Sequence, residues 1–242
     1  MPYIREEYDL GETIEVEKKH TGKYGAPGQK RTKRKKATPE EIEKQNYWNR
    51  VKKLRRKIAY NFSKTDWWVT LTYKSANRPT QEKAKKNLKK FLNKMRNVYS
   101  KSGKDLKYII VTEYKQKAIH HHMIINNVST NMGATSELIE KLWTHGHPQY
   151  KHLYGGDYTQ LAEYIIKEVK AETEKKKYSL SYSCSRNLKM PPSKKKVMLA
   201  SEWKKEPAAK KGYYIIKDSI VDGVNPVTGF RYQYYIMAKL RP

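Results

Sequence analysis

With 242 residues, 37% of them hydrophobic, and a formal charge of +28 from 52 basic and 24 acidic side chains, the chain has room for one sizeable domain or two small ones and is too polar for a membrane protein. No stretch approaches the roughly 18–20 apolar residues of a spanning helix, the opening MPYIREEYDL lacks the basic-then-apolar order of a secretion signal, and one cysteine, Cys184, excludes internal disulfides and thiolate zinc sites. The expectation is a soluble, cytoplasmic protein with a polyanionic partner, in which metal chemistry must come from His, Asp or Glu.

Residues 1–17 are acid-rich, and the basic run Lys30, Arg31, Lys33, Arg34, Lys35 and Lys36 follows a turn-prone Gly25-Ala26-Pro27-Gly28, so residues 1–38 read as a flexible basic arm. Thr38-Pro39-Glu40-Glu41 then has the form of a helix start. Thr38 is the N-cap, Glu41 closes a capping box, and Tyr47, Val51, Leu54 and Ile58 repeat at helical spacing, which predicts a helix over 39–60 within an N-terminal helical segment 39–64. Trp67 to Tyr73 is aromatic and β-branched and predicts a strand with Val69, Leu71 and Tyr73 on one face. A helix over 80–99 is marked by Ala84, Leu88, Phe91, Leu92 and Met95, with lysines including Lys86 and Lys90 on its outer face. Strands are expected over 107–114 and 119–128, close enough to form a hairpin. A short helix over 135–143 and a longer one over 157–172 follow. Beyond that point strands are expected over 178–183, 212–219 and 230–237, with a turn at 224–229, and the Lys- and Pro-rich stretch 185–211, including Lys194, Lys195 and Lys196, reads as irregular. No GxxxxGK[ST] motif is present, so no nucleoside-triphosphate motor of the P-loop kind is encoded.

Six of the seven histidines fall between 120 and 152, and three are consecutive. On a strand, His120 and His122 share a face about 6.5–7 Å apart, while His121 points the other way. Glu113, on the preceding expected strand, can be brought alongside them by a short hairpin. Two imidazoles and one carboxylate leave coordination positions open for water and substrate oxygens and suit Mn²⁺ or Mg²⁺, or adventitious Zn²⁺. The competing reading makes them ordinary strand histidines beside a surface glutamate. His145-Gly146-His147 repeats the spacing, but Gly146 and Pro148 make it a turn, where alternation does not aim both rings at one point.

On the helix over 157–172, Tyr158, Leu161, Ala162, Ile165 and Val169 form one stripe; Tyr164 lies off it, with Lys167 one turn on along the same flank. An exposed Tyr beside a Lys is also the ordinary product of a composition rich in both. A phenol of pKa about 10 is a poor nucleophile at neutral pH, but a divalent ion that polarises a phosphodiester, together with local positive charge, makes its attack feasible. The resulting phosphotyrosyl ester keeps the energy of the bond it replaces and can reseal a strand without ATP.

These residues closely resemble the HUH endonuclease superfamily, specifically the single-tyrosine rolling-circle replication initiators of bacterial plasmids and phages and their mobile-element relatives. The strand Trp68-Val69-Thr70-Leu71-Thr72-Tyr73 is similar to the family's first motif, Ile119 to Ile125 to its histidine strand, Glu113 to its upstream acidic ligand, and Tyr164-Ile165-Ile166-Lys167 to its YxxK helix, so the likeness spans about residues 65–172. The middle histidine, His121, stands where the family has an apolar residue, which leaves open a register involving it.

The resemblance implies an α+β fold of ferredoxin-like, RRM-like topology, a central antiparallel sheet of about five strands with flanking helices. It implies metal ligands Glu113, His120 and His122, the nucleophile Tyr164, and Lys167 orienting the phosphate or metal-bound water or assisting the phenol. It divides the chain into a nuclease core over 65–175 and a C-terminal extension over 176–242 that completes or packs on the core and binds DNA. The implied partner is single-stranded DNA at an origin or nick site in a bacterial cell, with a host helicase and polymerase. The run 30–36, Lys86, Lys90 and Lys194 to Lys196 are expected backbone contacts. A relaxase or single-tyrosine transposase would use the same site, and a non-enzymatic basic nucleic-acid-binding protein or a histidine-cluster metal binder are the readings of another class.

Overall fold

The computed structural model describes residues 2–20, 36–115, 118–173 and 182–240. In chain order the elements are β1 (Tyr3–Asp9), β2 (Thr13–Lys19), α1 (Pro39–Asn61), β3 (Trp67–Leu71), α2 (Gln81–Lys101), β4 (Tyr108–Lys115), β5 (Ala118–Ile125), β6 (Ser129–Thr130), β7 (Gly133–Ala134), α3 (Thr135–Leu142), β8 (Gln149–His152), α4 (Thr159–Thr173), β9 (Ser183–Cys184), β10 (Ser193–Met198), β11 (Tyr213–Ile215), β12 (Val221–Val224) and β13 (Arg231–Lys239). The fold is mixed α+β with antiparallel sheets. The chain divides into two compact units, one of Met1–Tyr60, Gly156–Thr159 and Met190–Pro242, the other of Asn61–Gly155 and Gln160–Lys189. Among the described residues no helix is long and apolar enough to cross a membrane.

The second unit is built on a five-stranded sheet in the order β8-β3-β5-β4-β9. Period-two alternation divides its side chains. Val69, Leu71, Ile110, Met123 and Ile125 point to one face and are sealed by Phe91, Met95 and Tyr99 of α2 and Leu138, Ile139 and Trp143 near α3, which together form the core. Helix α2 starts where its sequence says it should, with Thr80 Oγ1 accepting a hydrogen bond from Lys83 N. The stretch from Ser185 to Lys189 clamps the sheet edge: Ser185 N donates to Tyr108 O at 3.0 Å, and Lys189 N to Asn61 Oδ1 at 2.9 Å. Residues 178–181 of the strand expected there lie outside the described residues, and Ser183–Cys184 pairs with β4.

The first unit corrects two expectations. Residues 3–19, read as part of a flexible arm, form the hairpin β1–β2, and Ser193–Met198, read as irregular, is the strand β10 paired with β1. With β13 and β11 these make the sheet β10-β1-β2-β13-β11, onto which β12 pairs through β13. The reason is charge satisfied from far away in sequence. Alternation on β2 puts Ile14 and Val16 into an apolar cluster with Tyr235 and Met237 and sends Glu15 and Glu17 to the other face. There Arg55 and Arg56 of α1 both bind Glu15, which is fully buried, and Arg56 and Lys52 bind Glu17 at 2.9 and 2.8 Å. An acidic strand that reads locally as solvated is thus an interior strand. Helix α1 itself begins as expected, Glu41 N donating to Thr38 Oγ1 at 3.2 Å and Thr38 N to the Glu41 carboxylate at 2.9 Å.

Candidate metal and tyrosine site

The site lies on the face of the five-stranded sheet opposite the α2–α3 core. The β4–β5 register sets Glu113 directly across from His120, and the β3–β5 register sets Thr70 across from His122. Cross-strand partners share a face, so Glu113, His120, His122, Thr70 and Trp68 form one surface. One ligand atom from each of Glu113, His120 and His122 lies within 4.8 Å of the others. Glu113 and His122 are buried and His120 is half-buried, so the donors converge at the rim of the interior rather than on open surface.

His122 is fixed through both ring nitrogens. Its Nδ1 lies 3.1 Å from Thr70 Oγ1, and its Nε2 lies 3.1 Å from a Glu113 carboxylate oxygen and 3.1 Å from the Tyr164 hydroxyl. Tyr164 comes from α4, off the stripe of its buried Ala162, Ile165 and Ile166, and remains 36% exposed. Its ring stands edge-on to His122 at 5.5 Å and to Trp68 at 6.0 Å, while Trp68 and His122 are within 5° of parallel. The phenol is therefore held by an aromatic corner with its oxygen beside the donor cluster and part of its surface open to solvent. Two imidazole nitrogens and one carboxylate oxygen are a donor set that fits a borderline or hard divalent ion.

His121 is on the opposite face, fully buried. Thr112 Oγ1 lies 2.8 Å from its Nδ1 and the Tyr73 hydroxyl 3.0 Å from its Nε2. Burial first, and then the charges of His122, His120 and His145, press its pKa down to about 3, which keeps it neutral in the core. It is a packing histidine, and the register involving it does not bring it to the cluster. The second HxH is structural as well. His145 packs on Trp143 at 5.0 Å and its carbonyl accepts from Lys74 N, while Gly146 sits where a Cβ would run into the Thr72 backbone. His152 stacks on Trp67 at 3.7 Å.

The structure thus brings together Glu113, His120, His122 and Tyr164. Lys167 is exposed and makes no hydrogen bond or ion pair among the described residues. Lys86 and Lys90 are exposed on α2, Lys194, Lys195 and Lys196 on β10, and Lys36 before α1; Lys30, Arg31, Lys33, Arg34 and Lys35 lie outside the described residues. Sequence reasoning did not single out the contacts of Trp68 and Thr70 with the site. The signal was present in alternation, since Trp68 and Thr70 are the residues that Val69 and Leu71 leave on the other face.

The profile of a protein family described as replication-associated protein ORF2/G2P matches residues 66–173, a little under half of the chain. That stretch carries Trp68, Thr70, Glu113, both cluster histidines and Tyr164, and the match supports a role in replication. No curated protein and no solved structure matches the chain.

Proposed function

We propose that the chain is a divalent-metal-dependent HUH-type nickase that initiates rolling-circle replication by cutting and rejoining single-stranded DNA through Tyr164. The observation that carries this reading is the 3.1 Å separation between the Tyr164 hydroxyl and His122 Nε2, the same nitrogen that faces Glu113. Glu113, His120 and His122 would hold the ion, Mn²⁺ or Mg²⁺, which when bound polarises the scissile phosphate and offsets the charge that develops on it. Thr70, at the far nitrogen of His122, fixes the ring's orientation.

The aromatic corner of Trp68 and His122 limits the swing of the phenol, so Tyr164 is presented to the phosphorus in a narrow range of orientations. Its oxygen forms the new bond to phosphorus as the bond to the 3′ oxygen breaks. The phenol proton passes to water and the departing 3′ oxygen takes one up. The 5′ phosphate stays on Tyr164, and the free 3′-OH can prime synthesis. Lys167, one helical turn on, adds positive charge beside the incoming phosphate. The replication-associated match favours this role over a relaxase or transposase with the same chemistry. Host helicase and polymerase are the partners the reaction needs, because the chain has no P-loop to drive strand separation.

The test is incubation of the protein with labelled single strands from its own genetic element and Mn²⁺ or Mg²⁺, followed by denaturing electrophoresis and peptide mass analysis. The expected result is a denaturant-stable protein–DNA adduct on Tyr164, abolished by Tyr164→Phe and by a chelator, with strand binding retained in the variant. Binding without an adduct on any cognate strand would replace the nickase with a nucleic-acid-binding protein.

A further inference from the structure

A second concentration of charge lies in the other unit, outside the stretch that matches the replication-associated family. A cleft of about 430 Å³ on the β10–β1 side of the six-stranded sheet is lined chiefly by Arg5, Glu7, Lys194, Lys195, Lys196 and Lys210. The register sets Lys196 opposite Arg5 and Lys194 opposite Glu7, so these four share one face. Charge on that face is poorly balanced. Glu7 is taken by Arg5 at 2.5 Å, and Lys195 turns to Glu6 at 3.5 Å. Lys194, Lys196 and Lys210 are exposed and form no ion pair among the described residues.

Two further observations show how closely cations are crowded at this edge of the sheet. The Nε of Arg5 is buried and without a hydrogen-bond partner. Lys18, across from Arg5 on β2, has its pKa pressed down, first by burial and then by the charge of Arg5. Cations held this close raise a positive potential that an anion relieves.

We propose that this cleft is a second nucleic-acid contact, in which Lys194, Lys196 and Lys210 take the phosphodiester backbone of DNA away from the nick itself. The identity of the polyanion rests on the proposed function; the cleft does not. Lys194 and Lys196 stand about 6.5–7 Å apart along an extended strand, a row of charges that suits a repeating anion better than a single phosphate. The lining has no aromatic ring to stack a base and no hydroxyl to read one, so the contact positions DNA without selecting its sequence. It would anchor the flanking strand while the tyrosine site works on one linkage.

The experiment measures the affinity of the full chain for a labelled single strand, the same-sequence duplex and the same-sequence RNA over a range of salt. Three proteins are compared: the parent, the triple variant Lys194→Gln, Lys196→Gln, Lys210→Gln, and a control triple, Lys44→Gln, Lys53→Gln, Lys217→Gln, which removes three exposed lysines of the same unit away from the cleft. Circular dichroism verifies that all three are folded. Loss of three phosphate contacts should flatten the log–log salt dependence by about 2–3 units for DNA, with the control changing it by less than half as much. Equal changes in both triples, or none in either, overturn the proposal, as does tighter binding of the RNA than of both DNAs. A slope that the cleft variant alone flattens, in a protein that forms no tyrosine adduct, removes the nickase and keeps the cleft. An adduct with equal slopes in all three proteins does the reverse.

Discussion

His121 and His122 are adjacent in sequence and face opposite sides of one strand, the first sealed against Tyr73 and Thr112, the second meeting Glu113 and Tyr164. Their substitutions should therefore separate stability from metal binding. His121→Ala opens a core cavity and strips two hydroxyls of a partner, at a cost of about 2–4 kcal/mol in urea unfolding, with Mn²⁺ affinity by calorimetry little changed. His122→Ala should lose at least about tenfold in Mn²⁺ affinity and cost less stability than His121→Ala.

Thr70 tests the orientation of the same ring. Thr70→Val keeps the shape but removes the hydroxyl 3.1 Å from His122 Nδ1. The expected outcome is Mn²⁺ affinity weakened by about 10–100-fold, read by calorimetry, with an unchanged far-ultraviolet spectrum.

Glu15 is the buried acid that joins two helical arginines to the six-stranded sheet. Glu15→Gln leaves Arg55, itself fully buried, with its charge uncompensated except by Asp157 at 3.2 Å. Removing one partner of such a group costs about 3–5 kcal/mol, so the urea midpoint should fall sharply, and it should fall much less in Lys52→Gln, whose side chain is nearer solvent.

Acid sensitivity should trace in part to Glu6. Burial alone would push its carboxyl up, but hydrogen bonds from Lys19 and Tyr8 and the charge of Lys19 outweigh that and hold it at about 2, against an ordinary 4.5. Because the folded pKa is depressed, the unfolded chain binds more protons between these values. The stabilisation is complete above about pH 4.5 and is lost as the pH falls towards 2. Urea midpoints measured from pH 6 down to pH 2 should decline less steeply in Glu6→Gln than in the parent.

What local chemistry dictates was legible in the sequence. The capping box of Thr38 and Glu41 closes within one helical turn, and the alternation of His120, His121 and His122 needs only that the segment be a strand. The meeting of Glu113 with His120 follows from a short hairpin. What escaped depends on partners distant in the chain. The acidic β2 and the lysine-rich β10 look solvated by themselves, and become strands because α1 supplies arginines to one and β1 supplies a backbone edge, with Glu6 for Lys195, to the other. Trp68 was legible as a strand residue, but its place beside Tyr164 requires knowing where α4 returns to the sheet.

The pairing of β2 with β13 joins Lys18 to Gln233, 215 positions along the chain. The five-stranded sheet draws its strands from residues 67–184 alone. During synthesis that unit can close its core while β1 and β2 still wait for their neighbours, with Glu15 and Val16 exposed until the last strand emerges. The unit that holds the positive cleft is therefore the one that waits for the last strand of the chain, and a chain ending near residue 190 would contain every strand of the five-stranded sheet while lacking β10, β11, β12 and β13 of the other.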